Sequence, residues 1–273
     1  MIAEDAYAEV ERLTRQRARN FAYGIMLLPR PKRRAIAAIY AFARRVDDIA
    51  DGLLPNEEKR ARLEQLRGQL SAAPGEDAML VALADARQRF EIPADSLTAL
   101  IDGGVQDTEQ DRYADFDDLR AYCSRVAGAV GRACVPVYGA DQPARAETLG
   151  IALQLINIIR DVAEDWSLGR VYLPQDELER FGVAESDIAA GRGTPEWREL
   201  MSFQAQRARA HLADGLTLLD YLDRRSAACV GTFAGLYRTT LERIEHDGFD
   251  VFGGAPTLSP VAKLRVVGAA LAR

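Results

Sequence analysis

Hydrophobic side chains recur along the chain at helical spacing, whereas the alternating apolar and polar positions typical of strands are scarce. Breaks rich in proline and glycine, such as LLPRP, AAPGE, EIPAD and FGGAP, separate the periodic runs. The pattern predicts an all-α fold in a single domain over residues 1–273, without linker or repeat. Segment 182–195 is predicted to be a loop with one short helical turn. The predicted helices cover residues 5–19, 31–50, 56–72, 77–90, 94–107, 115–137, 143–164, 194–223, 226–247 and 259–272.

The composition narrows the classes of function. The net charge of −6, with both signs mixed along the chain, argues against binding to nucleic acid. Three cysteines without paired spacing indicate reduced thiols, and two histidines without an HExxH motif argue against zinc or Ser-His-Asp hydrolysis. Neither a signal peptide nor an apolar run of about 20 residues is present, so we expect a cytoplasmic protein.

The heptapeptide VDDIADG places three aspartates directly behind an apolar helical run. At about 100° per residue, one stripe of that helix carries Tyr40, Arg44, Asp47 and Asp51, with Asp48 at its edge. Like charges four residues apart repel, and a helix C-terminus is the unfavourable end for carboxylates. Because the stripe also carries a tyrosine, it indicates an inward functional face rather than a solvated helix end.

The same arrangement returns in the segment LQLINIIRDVAEDW. Within roughly 80° of one helix face lie Gln154, Asn157, Asp161 and Asp165. Amides and carboxylates on an otherwise apolar helix should line a wet cavity, because a dry core would leave them without partners. Two DxxxD pairs on two apolar helices can therefore face each other across such a cavity.

Oxygen ligands without histidine or cysteine suit a hard cation. Magnesium is usually held by one or two carboxylates together with phosphate oxygens of the substrate. The two pairs therefore predict a site at which Mg²⁺ bridges carboxylates to a diphosphate, with arginines completing the clamp. The arginines near the pairs are Arg44, Arg160 and Arg170.

At these residues the chain resembles the squalene/phytoene synthase family, the head-to-head prenyl synthases of the all-α isoprenoid fold. The resemblance spans about residues 21–174 and implies a helical bundle with a central cavity. Five stretches carry it, in family order: NFAYGIMLLP, IYAFARRVDDIAD, YCSRVAGAVG, LQLINIIRDVAEDW and GRVYLP.

The resemblance also implies roles for individual residues. Magnesium ligands would be Asp47, Asp51, Asn157, Asp161 and Asp165, and the four aspartates would act in catalysis together with Tyr122. Tyrosine faces near the substrate would stabilise carbocations. Gly128 and Gly131 mark either close helix contacts or space for a prenyl tail. The implied substrate-binding residues are Tyr40, Arg44, Asp48, Val126, Gly128, Gln154, Asn157, Arg160 and Tyr237.

The implied reaction is condensation of two prenyl diphosphates. The segment RNFAYG and the first aspartate segment are most similar to those of bacterial presqualene diphosphate synthases of hopanoid pathways. This resemblance implies that the substrates are two farnesyl diphosphates. It also implies that a wall formed by Tyr122, Val126 and Ala129 limits the length of the prenyl chain. Onward reduction to squalene would need NADPH, for which no nucleotide-binding motif is seen. The alternatives are a phytoene synthase using two geranylgeranyl diphosphates, and a catalytically silent relative that serves as a binding protein.

The chain departs from the resemblance at two places. Around Arg19 the chain lacks a short motif with serine or histidine that relatives often carry. Near the C-terminus it has FGGAPTLSP where relatives have a basic cluster, and Arg19 or Lys263 is a candidate to supply the missing positive charge. The final helix carries an apolar face and basic residues. We expect that it packs on the bundle, and that the protein touches a membrane only transiently to unload its product.

Overall fold

The structure is a computed structural model that describes residues 2–18 and 21–272. Within these ranges the secondary structure is helical, apart from an isolated parallel bridge between Arg112 and Val171. The all-α prediction is confirmed. The helices are α1 (Ala3–Arg17), α2 (Phe21–Ile25), α3 (Arg30–Ala50), α4 (Asn56–Ser71), α5 (Ala78–Phe90), α6 (Ala94–Gln106), α7 (Phe116–Cys123), α8 (Ala129–Tyr138), α9 (Pro143–Arg160), α10 (Val162–Ser167), α11 (Gln175–Phe181), α12 (Glu185–Ala189), α13 (Pro195–Gly215), α14 (Arg224–His246) and α15 (Pro260–Ala272).

Three helices expected to be continuous are interrupted. A π-helical turn, Ser124–Gly128, separates α7 from α8, and π turns often occur at functional sites because they redirect the side chains around them. Asp161 ends α9 and begins α10, with φ −103° and ψ 15°. The helix expected over residues 194–223 ends as a 3₁₀ segment, Leu216–Tyr221. Helices α2 and α11 were not predicted, because α2 has only five residues and α11 seven.

Close backbone contact joins the π turn and α8 to α9. A Cβ atom on Gly131 would lie 2.2 Å from the Ala146 carbonyl oxygen, and one on Gly150 would lie 2.3 Å from the Ala127 carbonyl oxygen. A Cβ on Gly128 would lie 2.9 Å from the Cγ of a glutamate on α9. Close helix contact therefore accounts for glycine at both Gly128 and Gly131.

The final helix lies on the outside of the bundle. Helix α15 packs along α14, where Val266 and Ala270 face Gly235 and Gly231. No residue of α15 is fully buried, so its other face is open. Over residues 2–18 and 21–272, no helix is long and apolar enough to cross a membrane.

Candidate active site

A cavity of about 270 Å³ lies between α2, α3, the π turn, α8, α9 and α14. Most of its wall is apolar, and Phe21 is part of that wall, with its ring centroid 5.0 Å from that of Phe233 and 5.9 Å from that of Tyr237. Polar groups occur together in the lining. They include Tyr40, Asp47, Gln154 and Asn157. The cavity therefore combines an apolar chamber with a small set of oxygen donors from α3 and α9.

The first aspartate pair stands at the C-terminus of α3. Asp51 is the C-cap residue, and its amide donates to the Asp47 carbonyl oxygen at 2.8 Å. Desolvation by the surrounding protein, followed by repulsion from the Asp51 carboxylate, raises the pKa of Asp47 to about 7. Because the Asp47 side chain still reaches solvent, water screens part of this repulsion. Asp48 points elsewhere and pairs with Arg44 at 2.5 Å.

The second pair straddles the break between α9 and α10. Asp161 binds the neighbouring Arg160 guanidinium through two contacts of 2.7 and 2.5 Å. Burial, followed by the nearby Asp161 carboxylate, raises the pKa of Asp165 to about 8. Asn157 donates to Gln154 at 3.2 Å, and Asn157 and Arg160 both lie beside the buried Tyr237 hydroxyl.

Asp107 and Arg170 lie between the two pairs, and the charge of Asp107 raises the pKa of both Asp47 and Asp165. Burial raises the pKa of Asp107 itself to about 6, against the opposing effect of Arg170. Arg170 is 9% exposed and binds Asp51 at 2.7 Å. The two aspartate pairs, far apart in sequence, therefore share one electrostatic environment.

Tyr122 lies in a cluster of three tyrosines rather than in the cavity wall. Its ring centroid is 5.1 Å from that of Tyr172 and 5.3 Å from that of Tyr113. The Tyr122 and Tyr172 hydroxyls donate to the two carboxylate oxygens of Asp107, at 3.1 and 2.9 Å. Tyr122 is thus connected to the aspartate pairs through Asp107 and does not line the cavity.

The oxygen donors around these pairs fit a hard cation bound together with a diphosphate. The buried Oδ1 of Asn157 has no hydrogen-bond partner, which leaves a neutral oxygen available beside the second pair. Among the residues that the structure describes, no three His, Cys, Asp or Glu side chains converge closely enough to hold a metal by themselves. A cation here would therefore need substrate oxygens as ligands, which is the way magnesium is commonly held.

The residues named from sequence divide into several groups. Those lining the cavity are Tyr40, Asp47, Val126, Gly131, Gln154, Asn157 and Tyr237. Arg44 and Asp48 line a separate surface cleft on the other side of α3. Of the expected chain-limiting wall, Val126 lines the cavity, whereas Tyr122 and Ala129 are buried outside its lining. Gly128 also lies outside the lining, and Arg19 lies outside the described residues.

Several residues of this site were missed by the sequence reasoning. Asp107 ends α6 as its C-cap residue and showed no stripe or repeat that would have singled it out. Phe21 and Tyr172 stand inside the quoted stretches NFAYGIMLLP and GRVYLP, so attention to aromatic residues there would have found them. Phe233 follows the ordinary helical periodicity of α14, and only its contacts reveal it.

Comparison with known proteins places this geometry in context. A family model described as squalene/phytoene synthase matches residues 14–264. A phytoene synthase of Mycobacterium bovis is 45% identical over 98% of this chain and 91% of that protein. A dehydrosqualene synthase solved with a ligand superimposes with a TM-score of 0.91 at 26% identity, covering 99% of this chain and 96% of that one. A squalene synthase from Alicyclobacillus acidocaldarius gives a TM-score of 0.83 at 27% identity, covering 90% and 95%.

Proposed function

Since the chain belongs to the squalene/phytoene synthase family, whose members transfer prenyl groups, we propose that it joins two prenyl diphosphates head to head and releases diphosphate. One observation carries the proposal: two DxxxD pairs share the environment of Asp107 and Arg170, and the first of them borders an apolar chamber. Such an arrangement separates the charged leaving group from the prenyl chains, which it shields from water.

In the proposed reaction, each group of residues has a role that follows from its chemistry. Bound Mg²⁺ would be held by Asp47, Asp51, Asn157, Asp161 and Asp165, and would neutralise the charge of the departing diphosphate. Arginines in ion pairs with these aspartates can exchange carboxylate for phosphate oxygens, which a guanidinium binds equally well. The apolar wall around Phe21 and Phe233 holds the prenyl chains, and the faces of Tyr40 and Tyr237 can stabilise positive charge that develops between them.

For the substrate, we favour two geranylgeranyl diphosphates, so that the enzyme is a phytoene synthase. This reverses the preference for farnesyl diphosphate drawn from sequence, because the curated relative from Mycobacterium bovis, which covers nearly the whole chain, is named a phytoene synthase. The cavity volume of about 270 Å³ lies below the roughly 300–1,000 Å³ of pockets for drug-sized ligands. Two prenyl chains of either length therefore require the wall to open, and the volume itself selects neither.

Farnesyl diphosphate remains the second candidate. Two solved relatives are named dehydrosqualene synthase and squalene synthase, and the first of them superimposes with a TM-score of 0.91. On this alternative the product would be presqualene diphosphate, as in hopanoid pathways, with NADPH needed for onward reduction. A catalytically silent relative is disfavoured because all four DxxxD carboxylates are present.

The deciding experiment measures kcat/KM for the C20 and C15 diphosphates with Mg²⁺, each with and without NADPH, and identifies the products by mass spectrometry. The proposal expects a higher kcat/KM for the C20 substrate and a C40 product whose formation does not depend on NADPH. A higher value for the C15 substrate would establish the second candidate. Absence of any head-to-head product from either substrate would contradict the proposed function.

A further inference from the structure

An apolar stripe runs along the open face of α15. Val266 and Ala270 face α14, and at about 100° per residue the opposite side carries Val261, Leu264 and Leu271. These three side chains belong to residues that are 58, 62 and 43% exposed, and they rank among the few large hydrophobic residues at the surface of the described ranges. An exposed apolar stripe on an otherwise charged protein marks a contact with something that the monomer does not contain.

Helix α2 borders α15 and adds further exposed apolar side chains near it. Tyr23 lies against α15, since the Lys263 ammonium stands 5.8 Å from its ring centroid. Tyr23 is 37% exposed and Met26 is 55% exposed. We call the five residues Val261, Leu264, Leu271, Tyr23 and Met26 the α2–α15 surface.

The charge around this surface is positive although the protein as a whole is negative. No acidic residue follows Asp250 in the chain, whereas Lys263, Arg265 and Arg273 do. At the end of α15, Arg224 donates to the Leu271 carbonyl oxygen at 3.5 Å, and the neighbouring Asp223 is already paired with Lys32 at 2.6 Å. Met26 shares a small cleft with Arg15, Arg33 and Glu11, and because Glu11 pairs with Arg33 at 2.9 Å, Arg15 is the residue that adds positive charge there. Apolar side chains flanked by basic ones complement an anionic lipid surface.

The other face of α2 is part of the prenyl cavity. Phe21 and Ile25 line the chamber, while Tyr23 and Met26 point outward. Gly24 allows this close fit, because a Cβ there would lie 2.4 Å from the Phe233 ring. One five-residue helix therefore stands between the chamber and the α2–α15 surface.

We infer that the α2–α15 surface docks on an anionic lipid bilayer and brings the prenyl chamber next to the membrane. The inference rests on the proposed function, because the substrates and product of that reaction are lipids whose chains are more stable in a bilayer than in water. The apolar stripe enters the boundary between headgroups and acyl chains, and the basic residues bind lipid phosphates. Movement of α2 would then open the chamber toward the membrane rather than toward water.

The test is co-sedimentation of the full chain, without substrate, with vesicles of equal parts phosphatidylglycerol and phosphatidylcholine at physiological salt. Wild type should pellet with these vesicles and far less with pure phosphatidylcholine. Val261→Glu combined with Leu264→Glu should lower the partition coefficient at least ~10-fold, because charged groups replace the inserted side chains. Lys263→Gln combined with Arg265→Gln should lower it about 30-fold on anionic vesicles alone.

A matched control uses exposed leucines on other parts of the surface. Leu53→Glu combined with Leu168→Glu makes the same chemical change on residues that are 105 and 48% exposed, and it should pellet like wild type. Leu271→Gln provides a milder variant of the stripe if the double substitution lowers the thermal unfolding midpoint. The inference is overturned if wild type stays in the supernatant, or if folded stripe variants pellet like wild type. Because no substrate is present, neither result depends on catalytic activity.

Discussion

The Arg170 guanidinium binds the Asp51 carboxylate at 2.7 Å, although 119 residues separate them in sequence. The same guanidinium lies 3.4 Å from the Ala50 carbonyl oxygen and 3.3 Å from the Asp107 carbonyl oxygen. It therefore fixes the C-terminus of α3 to the C-terminus of α6 and to the segment that follows the second aspartate pair. This contact sets the position of the first pair relative to the second.

Replacing Arg170 should disable the site without unfolding the protein. Arg170→Gln keeps a polar side chain but removes the charged guanidinium. We expect kcat/KM to fall about 100-fold, because the groups that bind the leaving diphosphate would no longer be held in position. Arg192→Gln is the control. Arg192 forms an exposed ion pair with Asp187 that joins α12 to its flanking loop and involves neither aspartate pair. An unchanged kcat/KM in Arg170→Gln would show that the link to Asp51 plays no part in catalysis.

The tyrosine cluster offers two Tyr→Phe changes with opposite expected effects. Tyr172 donates to Asp107 at 2.9 Å, so Tyr172→Phe should lower the free energy of unfolding by about 1–2 kcal/mol. The buried Tyr113 hydroxyl has no hydrogen-bond partner in the described part of the chain, so Tyr113→Phe should be neutral or stabilising. Urea unfolding of both variants is the measurement.

Activity gives the tyrosine variants a second readout. Tyr172→Phe should also lower kcat, because Asp107 then loses one of the two donors that hold it between the aspartate pairs. Tyr113→Phe should leave kcat unchanged. Equal losses of stability and of kcat in both variants would mean that the cluster acts only through packing.

The close contact between α9 and the π turn predicts that two glycine-to-alanine substitutions change the stability in opposite directions. Gly150→Ala should destabilise by more than about 2 kcal/mol, because its Cβ would lie 2.3 Å from a backbone oxygen that cannot easily move. Gly68→Ala is the matched control, since no atom lies within 4 Å of the added methyl on α4. Alanine there should stabilise by about 0.5–1 kcal/mol. Thermal unfolding of the pair tests this, and similar midpoints would refute the close contact.

The raised carboxylate pKa values predict how the stability of the ligand-free protein changes with pH. Asp47, Asp107 and Asp165 have pKa values near 7, 6 and 8 in the folded state, against about 3.9 when unfolded. Between about pH 4 and pH 8 the folded state therefore binds more protons than the unfolded state. Its free energy of unfolding should fall as the pH rises through this window.

Asp165→Asn isolates one contribution to that slope. The variant should be more stable than wild type at pH 8 by on the order of 1–3 kcal/mol, and about equal to it at pH 4. Urea unfolding at several pH values gives the slope. Adding Mg²⁺ with inorganic diphosphate should flatten the wild-type slope, because bound cations stabilise the ionised carboxylates. A wild-type stability that rises between pH 5 and pH 8 would contradict the shared environment of the aspartates.

Helical periodicity predicted much of the fold because long amphipathic helices such as α3 and α14 bury one face and solvate the other. The same spacing found Asp47, Asn157 and Asp161, since each falls on a polar stripe of an apolar helix. The π turn was beyond that reasoning, because amphipathic spacing gives no sign of the close packing of Gly150 against Ala127 that accompanies the turn. Asp107 was missed for a related reason: its role comes from two phenols and an arginine that meet it only in the folded chain.

The most direct test of the central claim is product formation by aspartate variants at saturating Mg²⁺. Purified wild type should convert the preferred prenyl diphosphate to a head-to-head product with release of inorganic diphosphate. Asp47→Asn and Asp161→Asn should each lower turnover at least ~100-fold while circular dichroism shows an unchanged fold, because each removes a charge that stabilises the leaving group. Near-normal turnover in either variant would contradict a mechanism in which the two aspartate pairs hold the diphosphates.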